Sequence, residues 1–439
     1  MTAEQIAALG PGFTAFTRSF AACFPRRETR NHFSTYCRGL ISDLPRKSVE
    51  PIALVSGTAV RTLQAFLAHH VWDHARMRDQ LQRRVVRDHL PSPGEPYSAV
   101  LGAPDPLGVI GLIDETGTPK KGDKTPGVQR QYCGRTGKVD NCIVTVHLAC
   151  LHKEFKTLID SDLFLPEKSW SADRDRCRDA GIPDDVVYRP KSEIALELYR
   201  RGVANGIHFD WLTFDEWYGS KPSFLTELER LGQHYVAEVP CSTRCWPTLP
   251  TYHSRQAPFA AKRADNVGRY SPVFARKKWR MMKIKRKTMP AQRWLVKAAQ
   301  VHLARDGLPT DRTYWLIVAK NAGTGEMKYF LSNAPPRTAL KTLLGVAFTR
   351  ANVEHVFRVA KSEIGFSHFE GRSYVGLMRH MILCQLVMTF VAKQTNRLRG
   401  EKIAPRRAAE QRDHLGTGRA GAQYGLPPMA QSRLPVLAR

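Results

Sequence analysis

The sequence predicts a mixed α/β sheet flanked by helices, with a helical N-terminal region. Three observations predict this fold class: apolar strand-like runs alternate with helical periodicity between Leu107 and Pro240, a strand-rich stretch follows, and helical spacing returns from Thr338 to Ile364. This order fits a sheet that begins with a meander and continues through strand–helix–strand units. With 439 residues, of which 42% are hydrophobic, the chain is long enough to bury substantial cores.

The same patterns divide the chain into five segments. Residues 1–95 combine helical apolar spacing with basic clusters, so we expect a helical DNA-binding domain there. We interpret 96–240 as the first part of an α/β domain, 241–337 as a strand-rich basic insertion and 338–393 as the last part of that domain. Residues 394–439 carry Gly, Pro and Arg with little apolar periodicity, which predicts a disordered basic tail.

The charge of the chain indicates a polyanionic partner. Lys and Arg number 67 against 40 Asp and Glu, a formal net charge of +27, which favours nucleic acid first. The longest apolar run, Met381 to Ala392, has the length of a core helix rather than the roughly 18 residues of a membrane span. The N-terminus lacks the pattern of a secretion signal. We therefore expect a cytoplasmic protein with no membrane partner.

Nine cysteines are scattered along the chain. Cys133, Cys142 and Cys150, with His147 and His152 nearby, admit a zinc site. No Cys-x-x-Cys pair is present, so buried free thiols are the favoured interpretation.

Two apolar strands end abruptly in acidic pairs. The run "GVIGLI" leads into Asp114 and Glu115, and the run "WLTF" leads into Asp215 and Glu216. Functional groups collect where buried strands of an α/β sheet end, although acidic turn caps are a common alternative. Within each pair we favour the aspartate as the functional group and assign Glu115 and Glu216 to turn capping or to support of the aspartates.

A third carboxylate lies on a helix between two cations. Arg350, Glu354 and Lys361 stand at i, i+4 and i+11, which places them within an arc of about 40° beside an apolar stripe. The alternative for Arg350 and Glu354 is an ordinary surface ion pair. Two strand-end aspartates and a helical glutamate in so basic a chain fit a two-metal phosphodiester site, because Mg²⁺ takes oxygen ligands.

Nine Lys and Arg and no acid lie between Val273 and Arg293, interleaved with Trp279 and methionines. We expect this run to bind DNA phosphates, with a charged solvated loop as the alternative. The phosphate-binding candidates in the run are Arg276, Lys277, Lys278, Arg280, Lys283, Lys285 and Lys287. Lys120 and Lys121, which follow the first acidic pair, are expected to meet phosphate as well.

The segments "LIDETGTPKKG", "FDEWYG" and "RANVEHVFRVAKSEIGF" resemble the DDE-type transposases of bacterial insertion sequences over roughly residues 107–392. The resemblance implies an RNase H-like catalytic sheet in which Asp114, Asp215 and Glu354 form a catalytic, metal-binding triad. It also implies two Mg²⁺ or Mn²⁺ ions, double-stranded DNA partners (the element's terminal repeats and target DNA), a homodimer on that DNA and a place at the bacterial nucleoid.

Many members of this family carry a Tyr-x-x-Arg-x-x-x-Glu-x-x-x-x-x-x-Lys signature. Arg350, Glu354 and Lys361 match its spacing, whereas Ala347 stands at the tyrosine position. The function implied is a transposase that cuts its element's ends and joins them to target DNA. The alternatives are a metal-dependent DNA nuclease without transposition and a domesticated DNA-binding regulator.

Overall fold

The computed structural model describes residues 9–91, 107–250, 260–286 and 289–413, with the backbone alone described for 285–286, 289–291 and 399–413. The first described part is helical. Its α-helices are α1 (Leu9–Arg18), α2 (Arg27–Ile41), α3 (Val49–Ser56), α4 (Val60–Ala68) and α5 (His74–His89).

Strands and helices then alternate as the sequence predicts. The elements up to the proposed insertion are β1 (Ile110–Pro119), β2 (Gln129–Cys133), β3 (Lys138–His152), β4 (Phe155–Leu163), α6 (Arg174–Asp179), α7 (Lys191–Ala204), β5 (Trp211–Phe214), α8 (Glu216–Gly219), α9 (Pro222–Arg230) and β6 (Tyr235–Val239). Short 3₁₀ and π turns lie at Ala21–Cys23 and Glu167–Ser171.

The C-terminal half begins with strands and ends in helices. Its elements are β7 (Arg244–Trp246), β8 (Lys262–Arg263), α10 (Ala264–Tyr270), α11 (Pro272–Ala275), β9 (Arg280–Arg286), β10 (Met289–Arg305), β11 (Leu308–Pro309), β12 (Tyr314–Asn321), β13 (Met327–Ser332), α12 (Leu340–Thr349), α13 (Ala351–Ser362) and α14 (Tyr374–Asp413).

One mixed sheet connects the described strands. Its order is β2-β3-β1-β5-β6-β13-β12-β10-β7-β8, with β4 on β3 and with β9 and β11 on β10. Strands β1, β5 and β6 are parallel neighbours, while β3 and β13 flank this trio in the antiparallel sense. The predicted α/β class with an RNase H-like mixed sheet is confirmed. Strands from the 241–337 segment continue the central sheet, because β13 pairs directly with β6.

The two faces of the sheet bury different cores. Leu112 and Val236 belong to a core that also includes α12, α13 and α14 side chains such as Val353. Ile113 and Phe214 belong to a second core that is filled by α7 and α9. Since side chains alternate along a strand, even-numbered residues of β1 face α13 and odd-numbered residues face α7.

Helix α14 is the centre on which the N-terminal helices pack. Phe390 meets Phe13 edge-on at 4.9 Å between ring centroids, and the Tyr36 hydroxyl lies 2.9 Å from His380 Nδ1. Among the described residues, this helix is the one stretch long and apolar enough to cross a membrane by length and composition. Its apolar window within Tyr374–Leu398 is 83% buried inside the protein, as in a core helix.

Two features differ from the sequence-based expectation. The helical stretch predicted from Thr338 to Ile364 divides at Arg350, which ends α12 and begins α13. Disorder was expected from residue 394, but α14 continues to Asp413, so that prediction is wrong up to residue 413. Ala, Arg, Glu and Gln in this segment propagate a helix already nucleated by the buried part, against the opposing propensities of Gly400 and Pro405. Residues 414–439 lie outside the described residues.

The cysteines are free thiols, as predicted. Eight of the nine are buried and Cys241 is exposed. Burial raises the pKa of Cys142 and of Cys150 to about 12. Both therefore carry their proton at neutral pH.

Candidate active site

The register of the three parallel strands aligns three carboxylates at one edge of the sheet. Leu112 pairs with Thr213, and Thr213 pairs with Val236. Two residues further along each chain stand Asp114, Asp215 and Glu238. Residues two apart on a strand share a face, so these acids project toward the α13 side of the sheet.

Asp215 is fixed by the short helix that it begins. It is the N-cap of α8, and its Oδ1 accepts hydrogen bonds from the backbone N–H groups of Trp217 at 3.0 Å and Tyr218 at 3.2 Å. A carboxylate at a helix N-terminus satisfies otherwise unpaired donors and is favoured by the helix dipole. The letters "DEWYG" thus position one aspartate rigidly at the end of β5.

The negative charge of Asp215 affects the pKa of Asp114. Its pKa is raised from an ordinary 3.8 to about 7, first by burial and then by the negative charge of Asp215, against the lowering effect of the Arg350 guanidinium. Two nearby carboxylates in a partly desolvated site resist full ionisation unless a cation joins them. A cation bound between the two carboxylates would relieve this repulsion.

Glu115 lies on the opposite face and has a different role. Its Oε1 forms an ion pair with Lys191 Nζ of α7 at 2.6 Å, and its Oε2 accepts a 3.5 Å hydrogen bond from the buried Tyr218 hydroxyl. It therefore joins α7 to the end of β1. Glu216 is exposed on α8.

Helix α13 brings two cations to the even-numbered face of β1. Arg350 Nη1 lies 4.0 Å from Asp114 Oδ2, and its Nε lies 3.3 Å from Glu238 Oε2. At the other end of the helix, the Lys361 ammonium donates to the Thr116 hydroxyl. Burial lowers the pKa of Lys361, and the Asp114 charge acts in the opposite direction. Both cations therefore lie at the edge of the sheet where the carboxylates stand.

Glu354 lies between these cations on the same helix, and its side chain is exposed. Over the described ranges, no group of three or more His, Cys, Asp or Glu side chains is gathered closely enough to hold a metal ion. The structure thus brings Asp114 and Asp215 together and leaves Glu354 apart from them. The oxygen donors of the pair suit Mg²⁺ or Mn²⁺ in chemistry. The third ligand remains a prediction.

The two lysines after β1 have different environments. The Lys120 ammonium donates to the Phe369 carbonyl and lies 5.9 Å from the centre of that ring. Burial lowers its pKa to about 8, and the charge of Arg46 acts in the same direction. Lys121 is exposed. To bind a phosphate, the Lys120 ammonium would have to release the Phe369 carbonyl.

The basic run forms the start of an edge strand. Met282 and Ile284 of β9 pack on the core, whereas Met281 and Lys283 point outward. Four more cationic side chains of the run are exposed, namely Arg276, Lys277, Lys278 and Arg280. The Lys277 ammonium nevertheless donates to the Ala298 carbonyl at 2.7 Å. The side chain of Lys285 and the whole of Lys287 lie outside the described residues.

Ala347 and Phe348 are core residues of α12. Ala347 is 4% exposed, and the Phe348 ring lies 5.0 Å from that of Trp294 and 5.6 Å from that of Phe330. The position that carries tyrosine in the family signature is therefore buried against the sheet.

The sequence analysis did not identify Glu238, although the sequence around this residue contains a usable signal. It is a single acid within the apolar strand "YVAEVP", near the end of that strand, as Asp114 and Asp215 are in theirs. The same criterion, applied to an isolated acid as well as to acidic pairs, would have found it.

A mixed sheet with aspartates at the ends of adjacent parallel strands, faced by a helix that carries two cations, has the groups that metal-dependent cleavage of phosphodiesters requires. The comparison with family models agrees: the DDE superfamily endonuclease model matches residues 19–295, and the chain belongs to that family. The matched region includes Asp114 and Asp215 and ends before Glu354.

A protein from Microchaete diplosiphon described as "Probable transposase for insertion sequence element IS701" is 26% identical over 358 residues. The alignment covers 81% of this chain and 80% of that relative. Among solved structures, the NurA nuclease from Sulfolobus solfataricus aligns with 66% of this chain and 91% of its own at 8% identity, with a TM-score of 0.20, which is too low to support an argument.

The close approach of α8 to β6 yields a stability prediction. A Cβ added at Gly219 would overlap the backbone carbonyl oxygen of Glu238. Gly219→Ala should therefore displace α8 and cost about 1–3 kcal/mol of unfolding free energy, measured by urea denaturation. Gly134→Ala is the matched control, because nothing lies within 4 Å of its added Cβ. Equal stability of the two variants would contradict the described packing.

Proposed function

We propose that this protein is a transposase that cuts its element's ends and joins the freed 3′ ends to target DNA in a divalent-metal-dependent reaction. The observation that carries the proposal is the Asp114 and Asp215 pair at adjacent strand ends, with Arg350 and Lys361 of α13 facing the same edge. The family membership and the relation to an insertion-sequence transposase support it.

The reaction has two phosphoryl-transfer steps. A water oxygen attacks the phosphorus at the element boundary, the P–O3′ bond breaks, and the leaving oxygen becomes a 3′-hydroxyl. That hydroxyl oxygen then attacks a phosphorus of the target strand, whose own 3′ oxygen leaves. When bound, divalent ions supply Lewis-acid stabilisation of the attacking and leaving oxygens.

The residues of the chain have separate tasks in these steps. Asp114 and Asp215 would hold the ions, and Glu354, which is exposed on α13, would complete the set of carboxylate ligands. Arg350 and Lys361 carry positive charge to the same edge and would bind the phosphates next to the scissile bond. Thr116 orients Lys361 by accepting its hydrogen bond.

The DNA partner follows from the charge of the chain. A net charge of +27 and the exposed cations of β9 and its approach segment suit a duplex backbone. We propose that the terminal repeats and the target are both double-stranded DNA, that the protein works as a homodimer on them, and that it acts at the nucleoid.

The triad is tested by Asp114→Asn, Asp215→Asn and Glu354→Gln in cleavage and strand-transfer assays with Mg²⁺. The substrate is duplex DNA carrying the element's terminal inverted repeat, to be identified by sequencing the DNA on either side of the gene. Each variant should lose roughly 10³-fold in rate, because a charged ligand contributes several kcal/mol to transition-state stabilisation. Mobility shifts should change little, since the basic surfaces are intact.

Glu216→Gln, an exposed neighbour of Asp215, is the control and should retain activity. Full activity in any triad variant would remove that residue from the site. Cleavage by the wild type without joining of the cut end would favour the nuclease alternative, and DNA binding without cleavage would favour the regulator.

The basic run is tested by the salt dependence of duplex binding. Each Lys or Arg that neutralises a phosphate adds about 0.9 to the slope of log affinity against log salt. Replacing Lys278, Arg280 and Lys283 with Gln should therefore flatten the slope by about two to three units. Replacing the exposed cations Lys153, Lys168 and Arg178 serves as the control and should leave it unchanged. An unchanged slope in the first set would show that β9 is solvated in the complex.

A further inference from the structure

Glu238 of β6 is a largely buried carboxylate held between two cations. It follows Ala237 of β6, which pairs with Phe214 just before Asp215, and its side chain is 14% exposed. Burying a carboxylate is costly unless cations compensate it. The structure supplies two: Lys328 Nζ lies 2.6 Å from Oε1, and Arg350 Nε lies 3.3 Å from Oε2.

The two cations differ in what they join. Lys328 lies on β13, the strand beside β6, and it also lies 3.7 Å from the exposed Glu326. Arg350 comes from the junction of α12 and α13 and reaches toward Asp114 at 4.0 Å. The Arg350 guanidinium is therefore shared by two carboxylates on the same sheet edge, and the closer of them is Glu238.

This sharing has a consequence for Asp114. The guanidinium pairs with Glu238 at 3.3 Å and stays 4.0 Å from Asp114 Oδ2, so it makes no close bidentate pair with Asp114. Without the Glu238 charge, Asp114 is the nearest carboxylate partner, and the guanidinium would move onto it. The start of α13 would shift as well, because Arg350 has helical backbone angles (φ −49°, ψ −37°) and lies one turn before Glu354.

We propose that Glu238 is a positioning residue: it holds Arg350 at the end of β6, and thereby keeps the guanidinium near the aspartate pair without letting it close on Asp114, and it fixes the start of α13. This inference rests on the proposed function and assigns a task to a residue outside the predicted triad. Glu238 acts through Arg350 and not by touching the DNA.

The experiment is a double-mutant cycle on the full chain with Glu238→Gln, Arg350→Gln and the double variant. Single-turnover cleavage of the inverted-repeat duplex at saturating protein separates the rate from binding. We expect about a 100-fold slowing for Arg350→Gln and about tenfold for Glu238→Gln, because misplacement of a positioned group by about 1 Å costs up to 10²-fold. The double variant should equal Arg350→Gln within about twofold, since one residue acts through the other.

Two controls distinguish positioning from a general loss of structure. Lys328→Gln removes the other ion pair of Glu238; it should lower the melting temperature, because Glu238 loses one of its two cations, yet cleave within about threefold of wild type. Glu238→Asp keeps the charge and should recover part of the rate lost in Glu238→Gln. Folded fractions are checked by circular dichroism.

Three results would overturn the proposal: wild-type cleavage by Glu238→Gln, a double variant slowed by the product of the single losses, or Lys328→Gln as slow as Glu238→Gln. Failure of the wild type to cleave would count against the proposed function instead. In that case the affinities of the same three variants for the duplex, measured by mobility shift, decide the inference. If the double variant loses affinity by the product of the two single losses, Glu238 does not act through Arg350.

Discussion

The parallel register of β1, β5 and β6 is the constraint on which the site depends. It brings the strand ends that carry Asp114, Asp215 and Glu238 to one edge of the sheet, where burial and the negative charge of Asp215 raise the pKa of Asp114 to about 7. Concentrated negative charge of this kind must be met by cations. Arg350 and Lys361 of α13 compensate part of this negative charge. The uncompensated part makes the edge suitable for divalent ions.

The fold around the trio keeps this edge rigid and accessible. Helix α8 begins at Asp215, and its Gly219 packs against the β6 backbone. On the other face, Lys191 holds Glu115 away from the aspartates. The strands that follow β6 in the chain extend the same sheet, so the exposed cations near β9 belong to the body that carries the site.

The sequence predicted Asp114 and Asp215 because apolar runs that end abruptly in acids are a local signal. It could not predict that Lys120 donates to Phe369, since that contact joins residues 249 positions apart. The division of the last helical stretch at Arg350 was also not predictable from periodicity, because Arg350 keeps helical backbone angles and the apolar spacing continues across it. Glu238 follows the same local rule as a single acid near the end of an apolar strand, but the sequence analysis considered only acidic pairs; the pairing of Phe214 with Ala237 then shows that it lies at the same edge as Asp215.

The central claim is that the Asp114 and Asp215 carboxylates together bind a divalent cation. Mn²⁺ binding to the DNA-free protein, followed by electron paramagnetic resonance of the free ion, tests this without any cleavage assay. Asp114→Asn and Asp215→Asn should each weaken binding by at least about tenfold, because each removes a charged oxygen ligand, while the exposed Glu216→Gln should bind as the wild type does. Undiminished Mn²⁺ binding in both aspartate variants would contradict the account.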